Sequence, residues 1–131
     1  MKFEKSCGCI IIENRKVLLI KQIKGIWGFP KGHVEKDETE LETAIREVKE
    51  ETNIDVEVQE DKRYTMNYKT DKGADKEVVL FLAKKIGGEI KPQESEVTVI
   101  EWLDFDEAIK KISYENTKEL FRKVLVDNNL A

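Results

Sequence analysis

The sequence predicts an α/β protein, an α+β mixed sheet with helices packed on both of its faces. Two observations carry that expectation. Short apolar, partly β-branched runs bounded by turn residues alternate with only one central amphipathic segment, and two further helical segments close the chain. That order suits a sheet covered from both sides. Residues 1–131 are enough for one domain whose core needs no disulfide or metal staple, and no internal repeat or low-complexity segment interrupts them.

Residues 6–12 (SCGCIII) and 17–22 (VLLIKQ) read as strands, joined as a β-hairpin through the polar turn Glu13-Asn14-Arg15-Lys16. Lys24-Gly25 breaks the pattern. Pro30 holds Phe29 extended, so residues 27–31 form a strand end or loop that delivers Gly32 to a tight bend. Thr39 followed by Glu42 has capping-box spacing, and Asp37 and Glu38 add negative charge, so a helix starts near Thr39. Leu41, Ala44, Ile45 and Val48 give it an apolar face, with Glu47, Glu50 and Glu51 beside that face, and Asn53 stops it in the left-handed conformation.

Residues 62–68 alternate, with Tyr64, Met66 and Tyr68 on one side, and lead through the loop 70–74 to the buried strand 78–83 of a second hairpin. Gly87-Gly88 marks a turn, and residues 97–103 a further strand. Asp104 precedes a helix with Ala108, Ile109 and Ile112 inward. Ser113 or Asn116 then caps a last helix carrying Leu120, Phe121, Val124 and Leu125.

Composition excludes several functions. Charged residues make up 38% of the chain while the net charge is −4, so no basic stripe argues for duplex nucleic acid. The longest apolar run, residues 78–83, is far short of a bilayer span, and the first five residues lack the apolar core of a secretion signal. A cytoplasmic protein is expected. Cys7 and Cys9 face the same way on a strand, with a single His in the chain, which reads as two buried reduced thiols rather than a zinc site.

Acids far outnumber bases in residues 35–51. Glu47, Glu50 and Glu51 stand at i, i+3 and i+4 on one helix, where each unpaired like-charged neighbour costs roughly 0.2–0.5 kcal/mol. Two readings fit. One is a solvated helix face laced with pairs such as Glu42 with Arg46. The other is a site for a hard divalent cation, which takes carboxylate oxygens together with substrate phosphates. The bend at Lys31-Gly32 would add a backbone carbonyl and a lysine for phosphate.

The spacing Gly32, five residues, Glu38, seven residues, then Arg46-Glu47-Val48-Lys49-Glu50-Glu51-Thr52-Asn53-Ile54 resembles the Nudix box. Every defined position matches except the last glycine, where Asn53 stands. Asn also tolerates the left-handed conformation, so the substitution preserves the helix stop. The resemblance to the Nudix hydrolase superfamily implies an α/β/α sandwich with a loop-helix-loop metal site for Mg2+ or Mn2+. It also implies hydrolysis of a nucleoside diphosphate linked to another moiety. It assigns Glu47, Glu50, Glu51 and the Gly32 carbonyl to the metal, Arg46 to orienting a glutamate, and Glu38 to anchoring the loop.

The flanks narrow the resemblance. Residues 29–35 (FPKGHVE), Leu41-Glu42-Thr43-Ala44, Asn67-Tyr68, Lys76, Glu96 six residues before Trp102, and Tyr114 look like the asymmetrically cleaving diadenosine tetraphosphate hydrolases. That similarity implies phosphate contacts by Lys31, His33 and Lys76, adenine stacking by Tyr68 and Tyr114, and Glu96 as an extra ligand or base. The implied reaction is attack by a metal-activated water in line on phosphorus, with Glu47 or Glu96 taking its proton. ATP and AMP are its implied products. Other substrates keep the same chemistry: an oxidised nucleoside triphosphate, an inositol pyrophosphate, a sugar nucleotide or an RNA 5′ end. A catalytically idle nucleotide-sensing module would use the fold without the water, and the retention of three glutamates and Arg46 argues against it.

Overall fold

A computed structural model describes residues 2–131. Its seven strands form one connected mixed sheet. Strand β1 (Phe3–Glu13) is its spine, running parallel to β6 (Asp75–Gly87) from Phe3 opposite Asp75 to Ile11 opposite Ala83. Strand β5 (Asp55–Lys69) completes that side antiparallel to β6, and the short β4 (Lys31–His33) lies on the other edge of β1. Strand β2 (Lys16–Gln22) pairs along its length with β7 (Val97–Asp104) and briefly with β3 (Trp27–Gly28).

The first hairpin differs from expectation. Asn14 and Arg15 both take positive φ, as a two-residue turn of right-handed twist requires, yet β1 and β2 pair only at Ile12–Val17 and Glu13–Lys16. Beyond the turn the strands part, because β1 finds β6 and β4 while β2 finds β7. The second hairpin forms as expected, and β5 begins at Asp55, before the alternating stretch that marks its second half.

Helix α1 (Glu40–Thr52) covers one face. Its Ala44 and Val48 pack with Cys7, Cys9, Ile11, Val79 and Phe81, the odd positions of β1 and their neighbours on β6. Helices α2 (Phe105–Lys111) and α3 (Glu115–Asp127) cover the other. There Phe121 meets Phe29 and Phe105 edge-on, with centroids 5.4 and 5.9 Å apart, above Ile10, Leu19, Val78 and Leu80. Both cysteines are free and buried, and burial pushes Cys7 to about 11 and Cys9 to about 12.

Helix α1 starts and stops where its sequence says. Thr39 and Glu42 close a reciprocal capping box, and Asn53 sits at φ 65° with its N–H donating to the Lys49 carbonyl. Its rotation is different. Ile45 is 41% exposed and Glu51 only 4%, so the inward face runs through Thr43, Ala44, Val48, Glu51 and Thr52. Neither Ser113 nor Asn116 caps α3: its first turn follows Tyr114 with no side-chain cap, Ser113 Oγ accepts the Trp27 N–H at 2.9 Å, and Asn116 lies inside the helix. None of the helices formed by the described residues is long and apolar enough to cross a membrane.

Candidate active site

Gly32 lies in no bend. It is the middle residue of β4, paired with Cys7, and its φ is not in the positive range. The reason for glycine is space: a Cβ at residue 32 would overlap the Glu47 carboxylate, which rests against the bare backbone. Gly8, opposite Lys31, has the same need, since a Cβ there would collide with the Pro30 carbonyl and the Lys31 main chain. Two glycines thus let β1, β4 and α1 close to van der Waals contact around a carboxylate.

Arg46 organises that contact. Its Nε donates to Glu38 Oε2 at 2.6 Å and its Nη2 to Glu38 Oε1 at 2.9 Å, a bidentate fork. Nη1 donates to Glu47 Oε1 at 2.7 Å and reaches Glu50 at 3.2 Å, while Nη2 also holds the His33 carbonyl at 3.0 Å. Glu38 is tied further by Thr43 Oγ1 and the Glu35 N–H, and the Arg46 fork first, then that N–H, hold its carboxyl down at about 2. Glu42 makes no pair with Arg46; its carboxylate accepts the Thr39 N–H. One guanidinium thereby fixes loop, strand and helix to one another.

Glu51 is the buried member. Its Oε1 accepts the Lys31 N–H at 2.9 Å. Burial, then the charge of Glu47, pushes its carboxyl up to about 8, and burial likewise raises Glu47 against the pull of Arg46. The Lys31 ammonium is lowered by burial and by Lys76, and Lys76 by burial. The segment between β6 and β7 brings a fourth carboxylate: Lys91 N–H and Gln93 N–H donate to the Thr52 and Glu51 carbonyls, and Glu96 follows on the cleft wall.

The cleft is about 570 Å³, and Lys31, Gly32, His33, Glu47, Glu51, Lys76 and Glu96 all line it. Tyr68 and Tyr114 instead line a neighbouring cavity of about 190 Å³ with Trp27, Phe29 and Met66. Lys31 and Gln22 border both spaces. Glu50 lines neither, being drawn to Arg46 on the outer side of the helix. Among the described residues, no three acidic, His or Cys side chains converge on one point. The donor set nevertheless fits a hard divalent cation: it is all oxygen, its carboxylates stand close enough to raise one another, and the missing side chain of Gly32 lets the Glu47 carboxylate lie against the strand backbone.

Sequence reasoning missed several lining residues. Ser6, Gln22, Lys24 and Ser95 border the carboxylate cleft, and Glu4 stands beside His33 and Lys76. Strand register places Glu4, Ser6 and Gln22, the turns after β2 and before β7 bring Lys24 and Ser95, and no local motif marks any of them.

A glutamate-rich helix locked by an arginine to a glycine strand, under a mixed sheet flanked by helices, defines a class. The NUDIX domain family matches residues 2–124, and the chain belongs to this family, hydrolases that act on pyrophosphate bonds and generally use divalent metal ions. It is 34% identical over 135 residues to the rat asymmetrical bis(5'-nucleosyl)-tetraphosphatase, covering 87% of this chain and 88% of that one. Arabidopsis thaliana Nudix hydrolase 2 is 31% identical over 116 residues and 83% of this chain, which spans only 42% of that protein's length. Among solved structures, a binary complex of Caenorhabditis elegans Ap4A hydrolase superposes with a TM-score of 0.85 at 30% identity, over 96% of this chain and 98% of that one.

Proposed function

We propose that the chain is a magnesium- or manganese-dependent hydrolase of dinucleoside polyphosphates, cleaving diadenosine tetraphosphate to ATP and AMP. The observation that carries the reading is the junction of two spaces at Lys31 and Gln22: a carboxylate cleft on one side and a cavity lined by Tyr68 and Tyr114 on the other. A polyphosphate with an aromatic base at its end has both needs. The similarity to a tetraphosphatase and to an Ap4A hydrolase, over most of each chain, supports the same choice.

In this reading Glu47, Glu51 and the Gly32 carbonyl would hold the cation, and Glu50 would join them by turning its carboxylate away from Arg46. When bound, it neutralises phosphate charge and lowers the pKa of a water. Arg46 keeps Glu47 aimed past Gly32. Lys31, His33 and Lys76 bind phosphate oxygens, while Tyr68 and Tyr114 stack on adenine and set the distance from base to scissile bond. Water attacks phosphorus in line, its proton passes to Glu47 or Glu96, and the anhydride P–O bond opposite breaks, its electron pair leaving on the phosphate oxygen of the departing nucleotide. The enzyme acts as a single domain in the cytoplasm, without a membrane or duplex nucleic acid as partner.

The test is a panel of substrates incubated with Mg2+ and resolved by chromatography: diadenosine tetraphosphate, an oxidised nucleoside triphosphate, a sugar nucleotide, an inositol pyrophosphate and a capped RNA. ATP plus AMP from the first, faster than turnover of any other, is the expected result. Preference for another member would replace the substrate and keep the chemistry, whereas nucleotide binding with no turnover at all would make the chain an idle sensor.

A further inference from the structure

Strand register sets Tyr68, Lys76 and Glu4 side by side across β5, β6 and β1, so their side chains leave the same face of the sheet. One pair further along, Ser6 of β1 stands opposite His33 of β4, which puts His33 on that face too. The result is an anion beside two cationic or polar nitrogens: Glu4 Oε1 is 3.3 Å from His33 Nε2 and 3.9 Å from Lys76 Nζ, and those nitrogens are 3.2 Å apart.

Glu4 has no part in the helix cluster and belongs to no motif. Lys76 stands in the middle of three paired strands with its side chain only 11% exposed, its Nζ nearer to His33 than to Glu4, whereas the Glu4 side chain is 35% exposed. What Glu4 adds is charge. It offsets, within 4 Å, the positive side of the cleft at the point where phosphate would arrive.

We infer that Glu4 is a specificity-determining residue: its carboxylate weakens the hold of Lys76 and His33 on phosphate, and does so more strongly as the number of phosphates beside them grows. Such a device lets a product with several phosphates leave while base stacking still selects the substrate. The inference rests on the nucleotide reading of the cleft.

The experiment is calorimetric titration of the whole protein, in Mg2+, with ATP and with AMP, for wild type, Glu4→Gln, Lys76→Met and the double variant. Glu4→Gln is expected to bind ATP about fivefold more tightly and AMP less than twofold more tightly, with the gain shrinking at high salt. In the double variant the gain over Lys76→Met should fall below twofold. A gain in affinity separates this role from a structural one, since damage to the fold only weakens binding. If wild type binds ATP and Lys76→Met weakens it, while Glu4→Gln binds no more tightly than wild type, the role of Glu4 is overturned and the nucleotide reading stands. A gain that persists in full without Lys76 overturns the route through that lysine. If wild type binds neither nucleotide, the reading of the cleft falls and this inference with it.

Discussion

Two walls, one standing behind the carboxylate cleft and one running from that cleft into the neighbouring tyrosine cavity, are built in opposite ways. On one, Gly32, Glu38, Arg46, Glu47, Glu50 and Glu51 come from a single stretch of chain, and a web of charged hydrogen bonds centred on Arg46 locks them. On the other, Lys76, Tyr68, Glu96 and Tyr114 come from β6, β5, the segment before β7 and the start of α3, and only sheet register and helix packing assemble them. In the proposed reading the first wall carries most of the chemistry and the second most of the recognition, so the groups that choose a substrate come from separate elements that can vary one at a time.

Breaking the first wall should cost turnover above all. Glu51→Gln should lower kcat by about a hundredfold or more with the fold kept, read from steady-state kinetics beside a circular dichroism spectrum. Near wild-type turnover would remove Glu51 from the site. Gly32→Ala tests the same wall through the backbone, because its Cβ would push the Glu47 carboxylate from its seat. We expect roughly a tenfold loss of kcat and a destabilisation of about 1–3 kcal/mol by urea denaturation.

The foundation of that wall responds to acid. Arg63 first, and then Lys5, hold the Glu40 carboxyl at about 2 and pin the start of α1 to the sheet, with Arg63 Nε and Nη2 at 2.7 and 2.8 Å from it. A carboxylate depressed in the folded state contributes stability above its unfolded value near 4.5 and loses it as pH falls toward 2. Wild type should therefore exceed Glu40→Gln by up to about 1 kcal/mol at pH 6, and the two urea midpoints should converge near pH 2. Midpoints that stay apart there would show that Glu40 acts through packing instead.

How much was legible follows the same division. Thr39 with Glu42, and Asn53, announced both ends of α1 because caps are local chemistry. The rotation of α1 was not legible: periodicity favoured burying Ile45, yet the sheet covers Glu51, whose carboxylate is satisfied by a backbone N–H that is 20 residues away. Gly32 was expected for a bend and is instead required by Glu47, a contact no spacing rule contains. Ser113 looked like a cap and bonds to Trp27 across the fold. The parallel pairing of β1 with β6, which sets Glu4 beside Lys76, joins residues about seventy positions apart and leaves no mark in either strand.

The division of labour between the two walls is tested most directly by saturation kinetics of a Tyr68→Ala/Tyr114→Ala double variant on diadenosine tetraphosphate in Mg2+. Loss of base stacking should raise KM by about tenfold to a hundredfold while kcat stays within about threefold of wild type. A collapse of kcat at unchanged KM would contradict the account, because the tyrosine wall would then be part of the chemistry.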